Sequence, residues 1–271
     1  LYQGMEPTTS NPIVNRSSIY GNTSFNVYGG YFSNSISHTT LNFRENWWGT
    51  TNTALINSMI SDYHDDPLRV SVTYGPLLMS EEGEPIAGDV VQGVITTNTT
   101  WGPQTGPILI GGIVSVAPGV TLTIEPGTEL RFVKGARLIV DGVLNAQGTE
   151  TELITFTSNE SNPQAGDWDR IHLRGEAASG SQIAYWKIEY ADYGLYFENT
   201  SPRIDHVTSS HNTTGFYFTN AAPQMSQVTS SENQHGFWMG MGASPVITYS
   251  KAIKNVFGCF LYEGMDPTPS Y

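Results

Sequence analysis

The chain has 271 residues, a net charge of −13 and only 12 Lys and Arg. That scarcity of cations excludes nucleic acid and an anionic membrane surface as partners, since both require clustered positive charge. Cys259 is the single cysteine, so no internal disulfide or cysteine metal site can form, and no apolar run is long enough to cross a membrane. Abundant Gly, Ser, Thr and Asn with 14% charged residues is a turn-rich all-β composition.

In chain order, the first words are also the last. "LYQGMEPTTSN" opens the chain and "LYEGMDPTPSY" closes it, with seven of eleven positions identical at an offset of 260 residues. The matched positions include Leu1, Tyr2, Gly4, Met5 and Pro7, paired with Leu261, Tyr262, Gly264, Met265 and Pro267. A fixed offset marks an internal repeat, and these ends are read as a head-to-tail joint. Next comes "ENWWGTTNTALINSMISDYHDDPLRVSVTYGPLL", whose "TALINSMISDYH" is the one helical candidate. Its acidic turn holds Asp62, Asp65 and Asp66, a weak calcium candidate that lacks EF-hand spacing; helix capping explains these acids more simply. Charged, turn-rich "SEEGEPIAGD" then reads as a boundary.

From residue 108 the text alternates short apolar strands with Gly and Pro turns. After "WDRIHLRG", read as a strand with a wet face, three ladders run in phase. Gly194, Gly215, Gly236 and Gly258 are spaced 21, 21 and 22 residues apart. Pro202, Pro223 and Pro245 keep the same step, as do Asn212, Asn233 and Asn255. A period of 21–22 residues is one coil of a solenoid, which can bury its apolar face only by stacking on the next. Ile183, Ile204, Met225 and Ile247 should pile into the core, as should Cys259. Each ladder glycine is expected at a turn that needs positive φ. The stacked asparagines should bond to turn backbone and to one another along the axis. Pro12, Ile13 and Asn22 resume the pattern at the other end of the chain.

The stretch "VAPGVTLTIEPGTELRFVKGARLIVDGVLNAQGTETELITFTS" with "GDWDRIHLRG" resembles the opening coils of secreted right-handed parallel β-helix repeat proteins, of the pectin-lyase-like superfold. The stretch "ENWWGTTNTALINSMISDYHDDPLRVSVTYGPLL" resembles their closing segment. The resemblance implies a secreted or surface protein and right-handed winding, which the crossover rule also favours. It implies no particular reaction.

The closing segment stands before the opening one. The chain therefore reads as a phase-shifted window on a repeat of about 260 residues. Residues 1–80 hold the C-terminal coils and closing segment of one β-helix, 81–107 a linker and the start of the next unit, and 108–271 its N-terminal and central coils. Six N-x-[S/T] sequons are glycosylation candidates: Asn98 and Asn159 first, then Asn15, Asn22, Asn199 and Asn212. No nucleophile, metalloprotease or nucleotide motif is present, and no cofactor is expected. Glu125, Glu129 and Arg131, and Asp167, Asp169, Arg170, His172 and Arg174, are the only groupings a polysaccharide-active enzyme could use. Trp47, Trp48, Tyr217 and Trp238 could stack on sugars, although core packing is the simpler explanation. The expectation is a non-enzymatic extracellular repeat unit whose partner is another copy of itself, forming a fibre, sheath or stalk. A carbohydrate-binding adhesin module is the alternative, and a polysaccharide lyase or hydrolase a more distant one.

Overall fold

The structure, a computed structural model, describes residues 12–29, 40–50, 53–62, 69–75, 77–78, 80–83, 90–103 and 106–261. It is a right-handed parallel β-solenoid of about 8 turns, 51% strand and 4% helical. Three parallel sheets run along it. The first carries one strand per turn: Val90–Ile95, Ile108–Val116, Arg137–Val140, Trp168–Arg174, Ala191–Glu198, Thr214–Thr219, His235–Met239 and Phe257–Leu261. The segment expected to hold a linker thus already supplies a first coil, with Val90–Ile95 paired to Ile108–Val116 and Thr99–Trp101 paired to Thr121–Ile124.

Alternation puts every second side chain inside. Trp168, Ile171 and Leu173 of one turn lie under Leu195 and Phe197 of the next, then Phe216 and Phe218, all fully buried. Identical residues stack in register: Phe197 on Phe218 at 5.3 Å and 6°, Phe216 on Phe237 at 5.1 Å and 12°. Each such side chain contributes about 2–3 kcal/mol of burial, available only because a neighbouring coil covers it.

The corners change chemistry along the rod. The second turn bends at Gly119, Gly127 and Gly135, each at positive φ. Later turns bend at single left-handed residues that are mostly not glycine. Tyr185, His206, Gln227 and Tyr249 form one column, Tyr190, His211, Glu232 and Lys254 a second, and Asn199, Asn220 and Gly242 a third. Each column repeats with the coil. The ladder glycines are elsewhere. Gly194, Gly215, Gly236 and Gly258 have ordinary φ, so the expectation of positive φ is corrected. Gly194, Gly215 and Gly236 are small because the next coil presses on them: a Cβ on Gly215 would lie 2.8 Å from the Gly236 carbonyl oxygen and 2.9 Å from Asn233 Nδ2.

The described residues between 12 and 78 form a smaller stack on the N-terminal end of this rod. Ile13 bridges Asn42, Val27–Tyr28 pairs with Ile60–Ser61, and Thr40–Asn42 with Ser71–Thr73, all in parallel. The helix is a single short turn and a half, Thr53–Ser58. Trp48, Ile56, Ile60, Val72, Tyr74 and Leu77 make a separate core. Tyr74 reaches from it to the solenoid: its hydroxyl donates to Asn57 Oδ1 and lies where a Cβ on Gly112 would be, 2.6 Å away. Burial pushes the Tyr74 phenol well above its ordinary pKa.

Candidate functional site

Chemistry-bearing residues gather in three places: a buried asparagine ladder, an outward face on the first sheet, and the last coil.

The ladder brings Asn212, Asn233 and Asn255 together. Each follows a left-handed corner residue, which turns its side chain into the rod. The Asn212 N–H donates to Asn233 Oδ1 at 2.8 Å, and the Asn233 N–H to Asn255 Oδ1 at 2.9 Å. Asn233 Nδ2 donates to Ser209 O, Ser230 Oγ and Asn255 Oδ1, at 3.0, 3.0 and 3.1 Å. Ser209 and Ser230, three residues before their asparagines, donate onward to the carbonyls of Gly215 and Gly236, both at 2.9 Å. These buried serines were missed in the sequence; "SSHN" and "SSEN" at the same phase was the available signal. Asn22 does not resume the ladder; it is exposed and donates to Asn26 Oδ1. Asn46 of "ENWWG" has that geometry instead. It is fully buried after left-handed Glu45, accepts the Ser17 N–H at 2.9 Å and donates to the carbonyls of Val14 and Phe43.

On the outward face, His172, Tyr196, Tyr217, Trp238 and Phe260 stand in register on consecutive strands. His172 stacks on Tyr196 at 4.3 Å, and Arg170 lies 4.6 Å over Tyr193. Tyr217 and Trp238, for which core packing was the simpler expectation, thus point out, whereas Trp48 is buried. The charges beside them are tied together: Arg137 and Arg170 to Asp169 at 3.2 and 2.7 Å, and Arg174 to Asp141. Glu129 pairs with Arg131 at 2.6 Å, and Asp167 Oδ2 accepts from Ser158 Oγ and the Gln164 N–H.

His172 is held neutral. Burial first, then Arg170, Arg174 and Arg137, lowers its pKa to about 3. Glu198 Oε2 lies 2.9 Å from Nε2 but without hydrogen-bond geometry, and its pull is outweighed. A histidine that stays neutral in the fold but protonates near 6.5 when unfolded favours the unfolded chain in acid. Its contribution is complete above pH 6.5 and is lost progressively toward pH 3. His172→Phe keeps the ring stack and removes the proton site. Urea melts of this variant should lose about 2–3 kcal/mol less than the parent between pH 7 and pH 4. Superimposable pH curves would remove His172 as an acid sensor.

Among the described residues, Val246–Leu261 is the last coil. Cys259 occupies the inward column after Leu195, Phe216 and Phe237, yet it is exposed, because no described coil covers it. Its expected burial in a core strand is corrected for that reason. Tyr249, Val256 and Leu261 are 89%, 72% and 70% exposed around it. Phe237, Met239, Ile247, Tyr249 and Cys259 line a shallow depression of about 490 Å³.

This geometry is where the comparisons with known proteins become informative. Residues 93–201 match the pectate-lyase-like β-helix domain family. Within the domain lie the first coils, the Gly-cornered turns and the strand of His172. The chain is also 33% identical over 119 residues to Protein bark beetle of Drosophila melanogaster. That stretch is 39% of this chain and 4% of that protein, so the chain spans a small fraction of the relative it matches. No solved structure matches.

Among the remaining expected site residues, Asp62 is buried and caps a strand, its Oδ2 accepting the Val72 N–H at 2.8 Å. Asp65 and Asp66 lie outside the described residues, and no group of three His, Cys, Asp or Glu among the described residues could hold a metal ion. Asn15, Asn22, Asn98, Asn159 and Asn199 are exposed. Asn212 is not available as a glycan acceptor: it is 1% exposed and its amide is engaged in the ladder, which corrects that candidate. Of the joint residues only Leu261 is described; Leu1, Tyr2, Gly4, Met5, Pro7, Tyr262, Gly264, Met265 and Pro267 lie outside the described residues.

Proposed function

We propose that this chain is a repeat unit of an extracellular structural rod, a surface fibre, sheath or stalk made by end-to-end continuation of β-helix coils. The observation that carries this reading is the in-register stacking of coil on coil, with Phe197 on Phe218, Phe216 on Phe237 and the ladder Asn212, Asn233 and Asn255 repeated from turn to turn. Such a stack is extended by any further coil of the same kind. A contact between unlike ends that does not close gives a filament.

A surface location is supported by the β-helix domain, often found in extracellular proteins, and by five exposed sequons. No described helix is long and apolar enough to cross a membrane. The role proposed is non-catalytic, because the carboxylates and guanidiniums of the wet face are engaged with one another. Electron microscopy of native, unproteolysed material tests the reading. Eight turns plus the three rungs of the N-terminal stack predict filaments with an axial repeat of about 50–60 Å. Isolated rods under near-native conditions would overturn it. Glycan binding by those isolated rods would point to the second reading, an adhesin module, supported by the outward column of Tyr196, Tyr217 and Trp238.

A further inference from the structure

We infer that the seam between the 12–78 stack and the rod is a built-in hinge, which opens while the bodies on either side of it stay folded. This goes beyond the rod reading: in a rod of such units the seam is the point of bending, and it is open to test in a single chain.

Within the rod, each coil is bonded to the next along all three sheets. Val116 pairs with Val140, Ile124 with Ala146, and Phe132 with Ser158. One core runs beneath them, from Leu109 to Phe237. Separating two such coils breaks strand ladders and uncovers core at the same time. The seam has neither safeguard. Among the described residues, the strands of the stack pair only with one another, in two-stranded sheets. The core of the stack shares no residue with that of the rod.

Tyr74 is the polar link across the seam. The Ile113 N–H of the rod donates to its hydroxyl, which donates in turn to Asn57 Oδ1 of the stack. Glycines face each other around it, Gly75 on the stack and Gly111 and Gly112 on the rod. They let the two backbones approach closely but bury no side chain of their own.

Gln92 lies among these glycines, with its Oε1 against Gly75 and Gly112. It stands where pairing with Ile108–Val116 shifts register, between Val91 and Gly93. Its amide Oε1 and Nε2 are both buried without a hydrogen-bond partner. A buried amide left unpaired carries a penalty that contact with water removes. Opening the seam hydrates Gln92, whereas opening the rod at the asparagine ladder breaks satisfied bonds. The seam is therefore the joint that opens at the lowest cost.

Native-state amide exchange of the full chain is the test. The Ile113 amide reports the seam. Val72, whose N–H is bonded to Asp62 Oδ2, reports the stack, and Val140 reports the rod. Ile113 should exchange about tenfold faster than either. Gln92→Met fills similar space without the unpaired amide and should slow Ile113 by about fivefold. Tyr74→Phe removes the link and should speed Ile113 by about fivefold, and Val72 and Val140 should be unchanged in both variants. Ile113 exchanging at the rate of Val140 would mean that stack and rod open as one body. Val72 exchanging as fast as Ile113 would mean that the stack unfolds and does not swing. Either result, or an Ile113 rate indifferent to either variant, would overturn the hinge. The rod reading is decided by filaments and the hinge by exchange in one chain, so each can fail without the other.

Discussion

Replacing Gly215 by alanine is expected to destabilise the chain by about 3 kcal/mol and to raise amide exchange in the coils on both sides of it. The added methyl would point at the Ser230 hydroxyl, at the Gly236 carbonyl oxygen 2.8 Å away and at Asn233 Nδ2 2.9 Å away. Two of those atoms belong to the ladder and the third to backbone, so none can rotate aside without breaking a bond. Relief requires separating two coils that are hydrogen-bonded along their length, from Thr214 with His235 to Phe218 with Met239. Gly119→Ala is the contrasting control. Gly119 has φ 78° and nothing within 4 Å of its added Cβ, so the cost there is backbone strain alone, about 1–2 kcal/mol. If positive φ were the reason for the ladder glycines, the order of the two variants in a denaturant melt would reverse.

That pair of glycines also shows what the amino-acid text makes legible. Period, coil stacking and the inward column are plain, because burial acts on side-chain type at every coil and leaves a repeating apolar residue. The corners are not. Tyr185, His206, Gln227 and Tyr249 share a left-handed backbone but no common side-chain type. A corner between two hydrogen-bonded strands fixes φ through its neighbours, so identity at the corner is free to drift. The glycines are visible but invite the wrong reason, since a lone glycine signals backbone freedom as readily as close approach. Asn46 was hidden differently. Its rung is 29 residues from Ser17 and not 21 or 22, so it falls off the period while keeping the geometry.

The wet face has the opposite character. "WDRIHLRG" announces alternation, and the strand Trp168–Arg174 obeys it, with Trp168, Ile171 and Leu173 inside. What alternation cannot give is the partner of each outward charge. Arg174 finds Asp141 and Arg137 finds Asp169 one coil apart, at separations of 33 and 32 residues, where no local rule operates.

Asn233→Ala should be the other severe substitution, costing about 3–4 kcal/mol, more than any exposed asparagine on the rod. Asn233 is 3% exposed, and its side chain serves four partners. Alanine leaves the Asn212 N–H without its acceptor and the Ser209 carbonyl without its donor, both inside the rod where water cannot substitute. Each orphaned group carries a penalty of about 1–3 kcal/mol, which exceeds the net value of the bonds themselves. Asn255→Ala should cost less, about 1–2 kcal/mol, because its coil is the last described one and solvent reaches it. Denaturant melts of the two variants measure both costs, and amide exchange at Asn212 and Asn233 reads where along the rod the ladder opens. A loss from Asn255→Ala as large as that from Asn233→Ala would mean that burial does not set the cost of a ladder rung.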